Sequence, residues 1–428
     1  MAFPAPASGP LAGLIVADLS TVLAGPFCAM LLADLGAEVV KVESPELDFS
    51  RTWGPPYVGA PEPGIDYSPD DPRSRPGYLG EAAYYLAANR GKRSIRLDLK
   101  MPGGRDVLRR LLARSDVLVE NFRVRTFARL GFDDATLEAL NPGLVHCAIS
   151  GYGPDGPLAD RPGFDFIIQA VSGLMSITGV PDTAGGEPVK VGVAVTDLMT
   201  GALAAVGALS ALVGRERSAS PAAGLGQRID LSLFESALAM LANQATNHLV
   251  AGRRPGRMGT AHPNITPYEA FPTSDGQVAV AVGTESQWPR FCEALARPDL
   301  RDDPRFRTNP ERVAHRTELR GLLESVFPER PTAEWIDRLD RAEVPCGPIN
   351  DVAAAFAEPQ AAVRRMIETV EHPTAGPLRL PGIPFKLSRT PASIRRPPPL
   401  PAEHSDEILA WLGYGPDEIE ALRSARVV

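Results

Sequence analysis

Short apolar runs alternate with longer helix-periodic stretches through the first third of the chain. Leu14-Ile-Val-Ala-Asp18 predicts a buried strand, Ala24 to Gly36 a helix stopped by glycine, and Glu38-Val-Val-Lys-Val-Glu43 a second strand. The alternation continues with a helix around Ala82 to Ala88, a strand from Ser94 to Leu99, a helix from Gly104 to Arg114 and a strand at Val117 to Val119. A helix over Asp134 to Leu140 and a strand from Leu144 to Ile149 follow. Such a rhythm predicts an α/β fold with a Rossmann-like, mostly parallel sheet and helices on both faces. Residues 61–80 break it with Pro, Gly and Asp and read as a surface insertion.

Further on, Gly192-Val-Ala-Val-Thr-Asp197 runs into a long apolar helix that reaches about Gly214, and residues 215–226 are linker-like. Ile229 to Leu241 reads as strand or helix, and Ala270 to Val282 as a turn followed by an alternating strand. The expected organisation is a large domain over 1–225, a smaller α+β domain with its linker over 226–330, and a C-terminal segment, 331–428, that returns to the large domain. The proline-rich stretch 377–401 must be extended, and a last helix is expected to start with Ser405 as its N-cap.

Composition narrows the function. The 428 residues are 44% hydrophobic with a net charge of −8 and no basic block, which gives a nucleic-acid partner no electrostatic support. Cys28, Cys147, Cys292 and Cys346 are scattered without C-x-x-C spacing, and His146, His248, His315, His372 and His404 show no metal spacing. No metal is expected, and the cysteine pattern suits a reducing compartment, so the cytoplasm is the expected location. The first residues lack the positive region of a secretory leader, and no apolar run free of polar breaks is long enough to predict a membrane span. Gly151-Tyr-Gly153-Pro-Asp-Gly156 matches the dinucleotide-binding G-x-G-x-x-G pattern, but Pro157, Pro162 and Gly163 deny it the helix that a pyrophosphate needs.

Asp197 is the candidate reactive group. Its position at the start of an apolar helix admits two readings: a cap that accepts the helix's first N–H groups, or a carboxylate held ionised by the helix dipole and available as a nucleophile.

Eight segments taken in order resemble the family III CoA-transferases. They are Val22 to Phe27, Asp34 to Glu43, Asn89-Arg-Gly-Lys-Arg-Ser-Ile95, Val119-Glu-Asn-Phe122, Gly151 to Pro157, Gly192 to Asp197, Val344-Pro-Cys-Gly-Pro-Ile-Asn350 and Glu403 to Leu409. Ser50-Arg-Thr-Trp-Gly-Pro-Pro56, Tyr84 to Arg90, Gly259-Thr-Ala-His262 and Ala357 to Gln360 resemble the glutarate-type branch in particular. The resemblance implies an interlocked homodimer that moves CoA from a thioester donor, such as succinyl-CoA, to a dicarboxylic acid, with no permanently bound cofactor. It implies that Asp197 is the nucleophile, forming first an aspartyl anhydride and then an aspartyl-CoA thioester.

The same resemblance assigns CoA contacts to Val22, Leu23, Ala24, Leu97, Lys100, Asn121, Phe122 and Arg129, with Ser44 where relatives carry an arginine. It assigns an acceptor clamp to Arg90 and a mobile lid to residues 259–262, with His262 in it. The racemase branch carries a histidine before Asp165; here that residue is Phe164, which cannot exchange a proton with an α-carbon. A racemase or a non-catalytic CoA-binding protein are the competing expectations.

Overall fold

The computed structural model describes residues 9–65, 67, 68, 71–74 and 77–428. They form two compact units: Gly192–Met240 and Pro359–Val428 join the N-terminal residues up to Ser172 in the first, and Gly173–Val191 with Leu241–Glu358 make the second. Against expected changeovers after 225 and 330, the chain leaves the first unit at 172, returns at 192, leaves again at 240 and returns at 359. The reason is pairing: the strand at Arg228–Ser232 hydrogen-bonds into the large sheet, so the chain up to Met240 stays with it.

The first unit is built on six parallel strands, β1 (Ile15–Asp18), β2 (Glu38–Glu43), β3 (Lys92–Arg96), β4 (Val117–Glu120), β5 (Val145–Ser150) and β6 (Arg228–Ser232), in the order β3-β2-β1-β4-β5-β6. β3 starts two residues before the expected Ser94, because Lys92 and Arg93 are buried strand residues. Helices α1 (Ala24–Asp34), α2 (Pro102–Leu112), α3 (Asp165–Val171), α4 (Val195–Glu216) and α5 (Leu233–Met240) accompany the sheet. The stretch read as strand or helix at 229–241 is both, β6 running directly into α5.

One face of the sheet packs Val16, Val119, Cys147 and Ile149 against Cys28 and Leu32 of α1 and Ala204, Ala208 and Ala211 of α4. The other packs Ala17, Val40 and Leu118 against Val107, Leu108 and Leu111 of α2, with Ile408 and Leu409 from the chain's C-terminal part. Each valine, leucine or isoleucine among these contributes roughly 1.5–3 kcal/mol on burial. Strands covered on both faces need apolar residues in succession, which is why these runs are continuous.

α4 is 22 residues long and, among the described residues, the one helix apolar and long enough to cross a membrane. Its buried stripe is small instead: Thr196, Thr200, Ala204, Ala208 and Ala211. This stripe lets α4 lie close on α1, so close that a Cβ at Gly201 would collide with the Ala24 carbonyl oxygen.

The second unit holds an antiparallel sheet of β7 (Tyr268–Pro272), β8 (Gln277–Ala281) and β9 (Cys346–Pro348), with α6 (Gln287–Ala294), α7 (Arg316–Glu324) and α8 (Thr332–Arg341). Its core is aromatic, with Trp288, Phe291, Phe306, Phe327 and Trp335 buried together. In the first unit a hairpin of β10 (Ile367–His372) and β11 (Gly376–Pro381) precedes an extended passage, and α9 (Ser405–Trp411) follows. Ser405 is the first residue of α9 and not its cap: its hydroxyl donates to Ala402 O at 3.0 Å, and His404 takes the capping position.

Candidate functional site

In an open parallel sheet, ligands bind beyond the strand C-termini where the strand order reverses. Here that place lies between β1 and β4, at the centre of the order. The residues that leave those two strands, Thr21 to Ala24 and Asn121 to Val124, line a cavity of about 680 Å³. Arg129, Ser150, Gly151, Arg161 and Leu233 complete it with Phe49, Trp53, Phe164 and Asp197. Gly151 and Gly163 form a backbone crossing in its wall, where a Cβ on Gly151 would stand 2.7 Å from Gly163 Cα. No helix follows the G-x-G-x-x-G segment until Asp165; Gly153 and Gly156 take φ values of 100° and 79° in a tight loop.

The loop after β1 is held from behind by buried charge. Lys41, at the centre of β2, donates to Ser20 O at 3.0 Å and to Asp48 Oδ2 at 2.9 Å. Asp48 Oδ1 in turn accepts the Val22 N–H at 3.1 Å, which pins a valine held at φ 71°. Deeper in the sheet, Lys92 donates to Asp18 Oδ2 at 2.8 Å, Pro26 O at 2.9 Å and Asn89 Oδ1 at 2.9 Å. Thr21 and Asn121 exchange two bonds, N–H to Oδ1 at 2.9 Å and Nδ2 to O at 2.8 Å, clamping the two strand ends together. Burial works against charge at Asp48, yet Lys41 and the hydrogen bonds from Ser50 together outweigh it and hold the carboxyl at about 2.

Asp197 is the third residue of α4, within its first turn, so it is not the cap of its own helix. Ala194 occupies the cap position, and the capping bonds come from Asp165 of α3, whose Oδ1 accepts the Thr196 N–H at 2.9 Å and the Thr196 hydroxyl at 2.8 Å. The expectation that the helix dipole keeps Asp197 readily ionised is corrected here. Burial first, and then the Asp165 charge, push the Asp197 carboxyl up to about 7. Tyr84 shares these surroundings: burial and the Asp197 carboxylate raise its phenol to about 12, so it stays protonated as a potential donor.

Of the residues expected to touch CoA, the cavity brings together Val22, Leu23, Ala24, Asn121, Phe122 and Arg129 with Asp197. Leu97 is instead buried in the sheet core, and the Lys100 ammonium is 80% exposed beside Glu46 at 3.5 Å; neither lines the cavity. Arg90 is only 4% exposed, and its guanidinium is taken up by Asp34, at 3.1 and 2.8 Å, and by Pro381 O. It therefore has no free edge for an acceptor carboxylate. His262 lies in the second unit, where its Nδ1 accepts the Asn264 N–H at 3.1 Å and its carbonyl accepts from Arg316 at 2.7 Å. Burial and Arg316 lower its pKa.

Sequence reasoning assigned no role to Phe49, Trp53, Arg123 or Arg161, all in the cavity wall. Trp53 and Tyr84 each belong to a motif of the glutarate-type branch and meet edge to face at 5.1 Å, a pairing hidden by the 31 positions that separate them in the chain. Phe164 lines the cavity with 59% of its surface exposed and offers no base there. Among the described residues no cluster of three His, Cys, Asp or Glu side chains is arranged to hold a metal.

Comparison with known proteins adds a family to this geometry. The profile of CoA-transferase family III matches residues 11–405. The chain is 42% identical over 406 residues to succinate–glutarate CoA-transferase of Agrobacterium fabrum, covering 94% of this chain and 96% of that one. It is 39% identical over 421 residues to succinyl-CoA:glutarate CoA-transferase of Homo sapiens, covering 98% and 90%. The crystal structure of a CAIB/BAIF family protein from Brucella suis superposes with a TM-score of 0.78 at 41% identity, covering 95% of this chain and all of that one.

Proposed function

The chain belongs to the family III CoA-transferases, and from that membership we propose that it moves CoA from succinyl-CoA or a similar donor to a dicarboxylic acid of glutarate size, with Asp197 as the covalent shuttle. The observation that carries the chemistry is Asp197 itself: a carboxylate in the cavity wall to which no described residue donates a hydrogen bond, facing the loops that leave β1 and β4.

The steps balance without an external acid or base. The Asp197 carboxylate adds to the donor thioester carbonyl and expels the CoA thiolate, leaving a mixed anhydride. The thiolate attacks the aspartyl carbonyl of that anhydride, so the donor acid departs as a carboxylate and an aspartyl-CoA thioester remains. The acceptor carboxylate attacks this thioester, again freeing the thiolate, which then takes the acceptor's acyl group and restores Asp197. The anhydride must be kept from water, and the aromatic side chains Phe49, Trp53 and Phe164 give the cavity an apolar rim suited to that. An acceptor's second carboxylate falls to the guanidinium groups of the wall, Arg123, Arg129 and Arg161, rather than to Arg90.

The proposed working form is a homodimer. Phe166, Ile167 and Val171 on α3 and Met199, Leu203, Val206 and Val213 on α4 leave apolar side chains exposed, which suits burial against a second copy. The extended passage after β11 suits an interlocked arrangement. Its unpaired cysteines suit the cytoplasm.

Asp197→Asn tests the reading. It is expected to bind CoA esters and lose transfer by about three orders of magnitude or more, as for removal of a nucleophile. Hydroxylamine is expected to inactivate the wild type only in the presence of donor. Turnover retained in the variant would remove Asp197 from the reaction.

A further inference from the structure

Asp165 follows the cavity-lining Phe164 as the first residue of α3, yet its carboxylate serves another helix. Oδ1 accepts both the N–H and the hydroxyl of Thr196, at 2.9 and 2.8 Å, and Oδ2 accepts Gln169 Nε2 at 2.7 Å. Thr196 is fully buried and immediately precedes Asp197, and α4 has no side-chain cap of its own: Ala194 stands at that place. The first turn of the nucleophile's helix is therefore fastened by a charged group from elsewhere in the fold.

We propose that Asp165 is a positioning residue for CoA transfer: it locks the first turn of α4 so that the Asp197 carboxylate faces the cavity, and it sets a second negative charge near that carboxylate. The inference rests on reading Asp197 as the nucleophile. A neutral serine would satisfy the same N–H group; an ionised cap adds a field. When a carboxylate adds to a thioester, the adduct can expel either the carboxylate or the thiolate. An ordinary aspartate, at about 3.9, leaves far more readily than a thiol of about 8.5. Raising Asp197 to about 7 closes most of that gap.

Among the described residues, Arg123, Arg129 and Arg161 line the same cavity, and cations there would lower the Asp197 carboxyl rather than raise it. On the elements packed against α4, Asp34 of α1 is paired with Arg90, and Arg228 and Asp230 of β6 with each other. Glu235 of α5 accepts the Ser232 hydroxyl, Cys28 and Cys147 are buried thiols, and the His146 ring lies against Phe127. Tyr84 is protonated. Apart from burial, Asp165 is the group that acts on Asp197.

Two variants of the full-length enzyme separate the charge from the geometry. Asp165→Asn keeps an acceptor oxygen for Thr196 and removes the charge. The acid limb of its kcat/KM profile with succinyl-CoA is expected to move down by about one pH unit, and kcat at the alkaline plateau to fall about tenfold. Asp165→Glu keeps the charge but displaces the cap, so the limb should stay near the wild-type position while kcat falls; it carries the test if Asp165→Asn does not fold, and a displaced limb there would count against the charge. An Asp165→Asn limb that coincides with the wild type's overturns the proposal. If Asp197→Asn is inactive in that case, the nucleophile reading still stands, whereas an active Asp197→Asn removes both.

Discussion

Asp48 and Asp197 are the same side chain on two sides of one cavity loop, and they are driven in opposite directions. Behind the loop, Asp48 accepts from Val22 N, Ser50 N, the Ser50 hydroxyl and Lys41 Nζ, and sits at about 2. In the wall, Asp197 receives no bond from a described residue, has a like charge nearby and sits at about 7. Both are largely removed from water, so burial alone does not separate them. Partners do: a carboxylate wrapped in donors is inert scaffolding, and one deprived of them stores reactivity.

The strongest way to break the contrast is to unwrap the first carboxylate. Asp48→Ala leaves the Lys41 ammonium buried without its partner, and such a loss typically costs about 3–5 kcal/mol; thermal unfolding should show it, with weaker binding of CoA because Val22 is released. The stabilisation from Asp48 is present above the ordinary aspartate range and fades as pH falls towards about 2. A smaller effect is expected at Gly201, which touches both sides. Gly201→Ala drives α4 off the Ala24 carbonyl at a cost of about 1–3 kcal/mol, and it should raise the KM for donor, measured by steady-state kinetics.

The smallest expected effect sharpens the comparison from the side of Asp197. Because folding raises its pKa from 3.8 to about 7, the native state binds the proton more tightly, and ionising Asp197 destabilises the fold as pH rises through that window. Asp197→Asn should therefore be more stable than the wild type by about 1–2 kcal/mol at pH 8, with no gain at pH 3. Denaturant melts at the two pH values check the sign; equal differences at both would mean that the carboxyl is not strained by the fold.

How much of this the sequence reveals depends on the range of the interaction. The β1–α1–β2 unit is legible because its apolar runs are continuous and Gly36 ends the helix, all within neighbouring residues. Asp197 is legible because the run before it and the helix after it are local. The start of β3 is not, since Lys92 and Arg93 look like surface residues; only the distant Asp18, Pro26 O and the nearby Asn89 make a buried lysine tolerable there. Asp165 and Thr196 lie 31 residues apart, and Asp34 and Arg90 lie 56 apart. Nothing in the spacing of either pair announces a bond. A resemblance supplied a role for Arg90 that its actual partner leaves no room for.

The missing side chain at Gly201 has a consequence for how substrates are chosen. With backbone seated on backbone, the helix bearing Asp197 and the turn that opens α1 behave as the fixed jaw of a vice, its gauge set once when the chain folds. Under the proposed function, sorting one acid from another then falls to the side chains around the opening, the guanidinium groups of Arg123, Arg129 and Arg161 and the exposed rings of Phe49, Trp53 and Phe164, and it is there that a change of acceptor would be engineered.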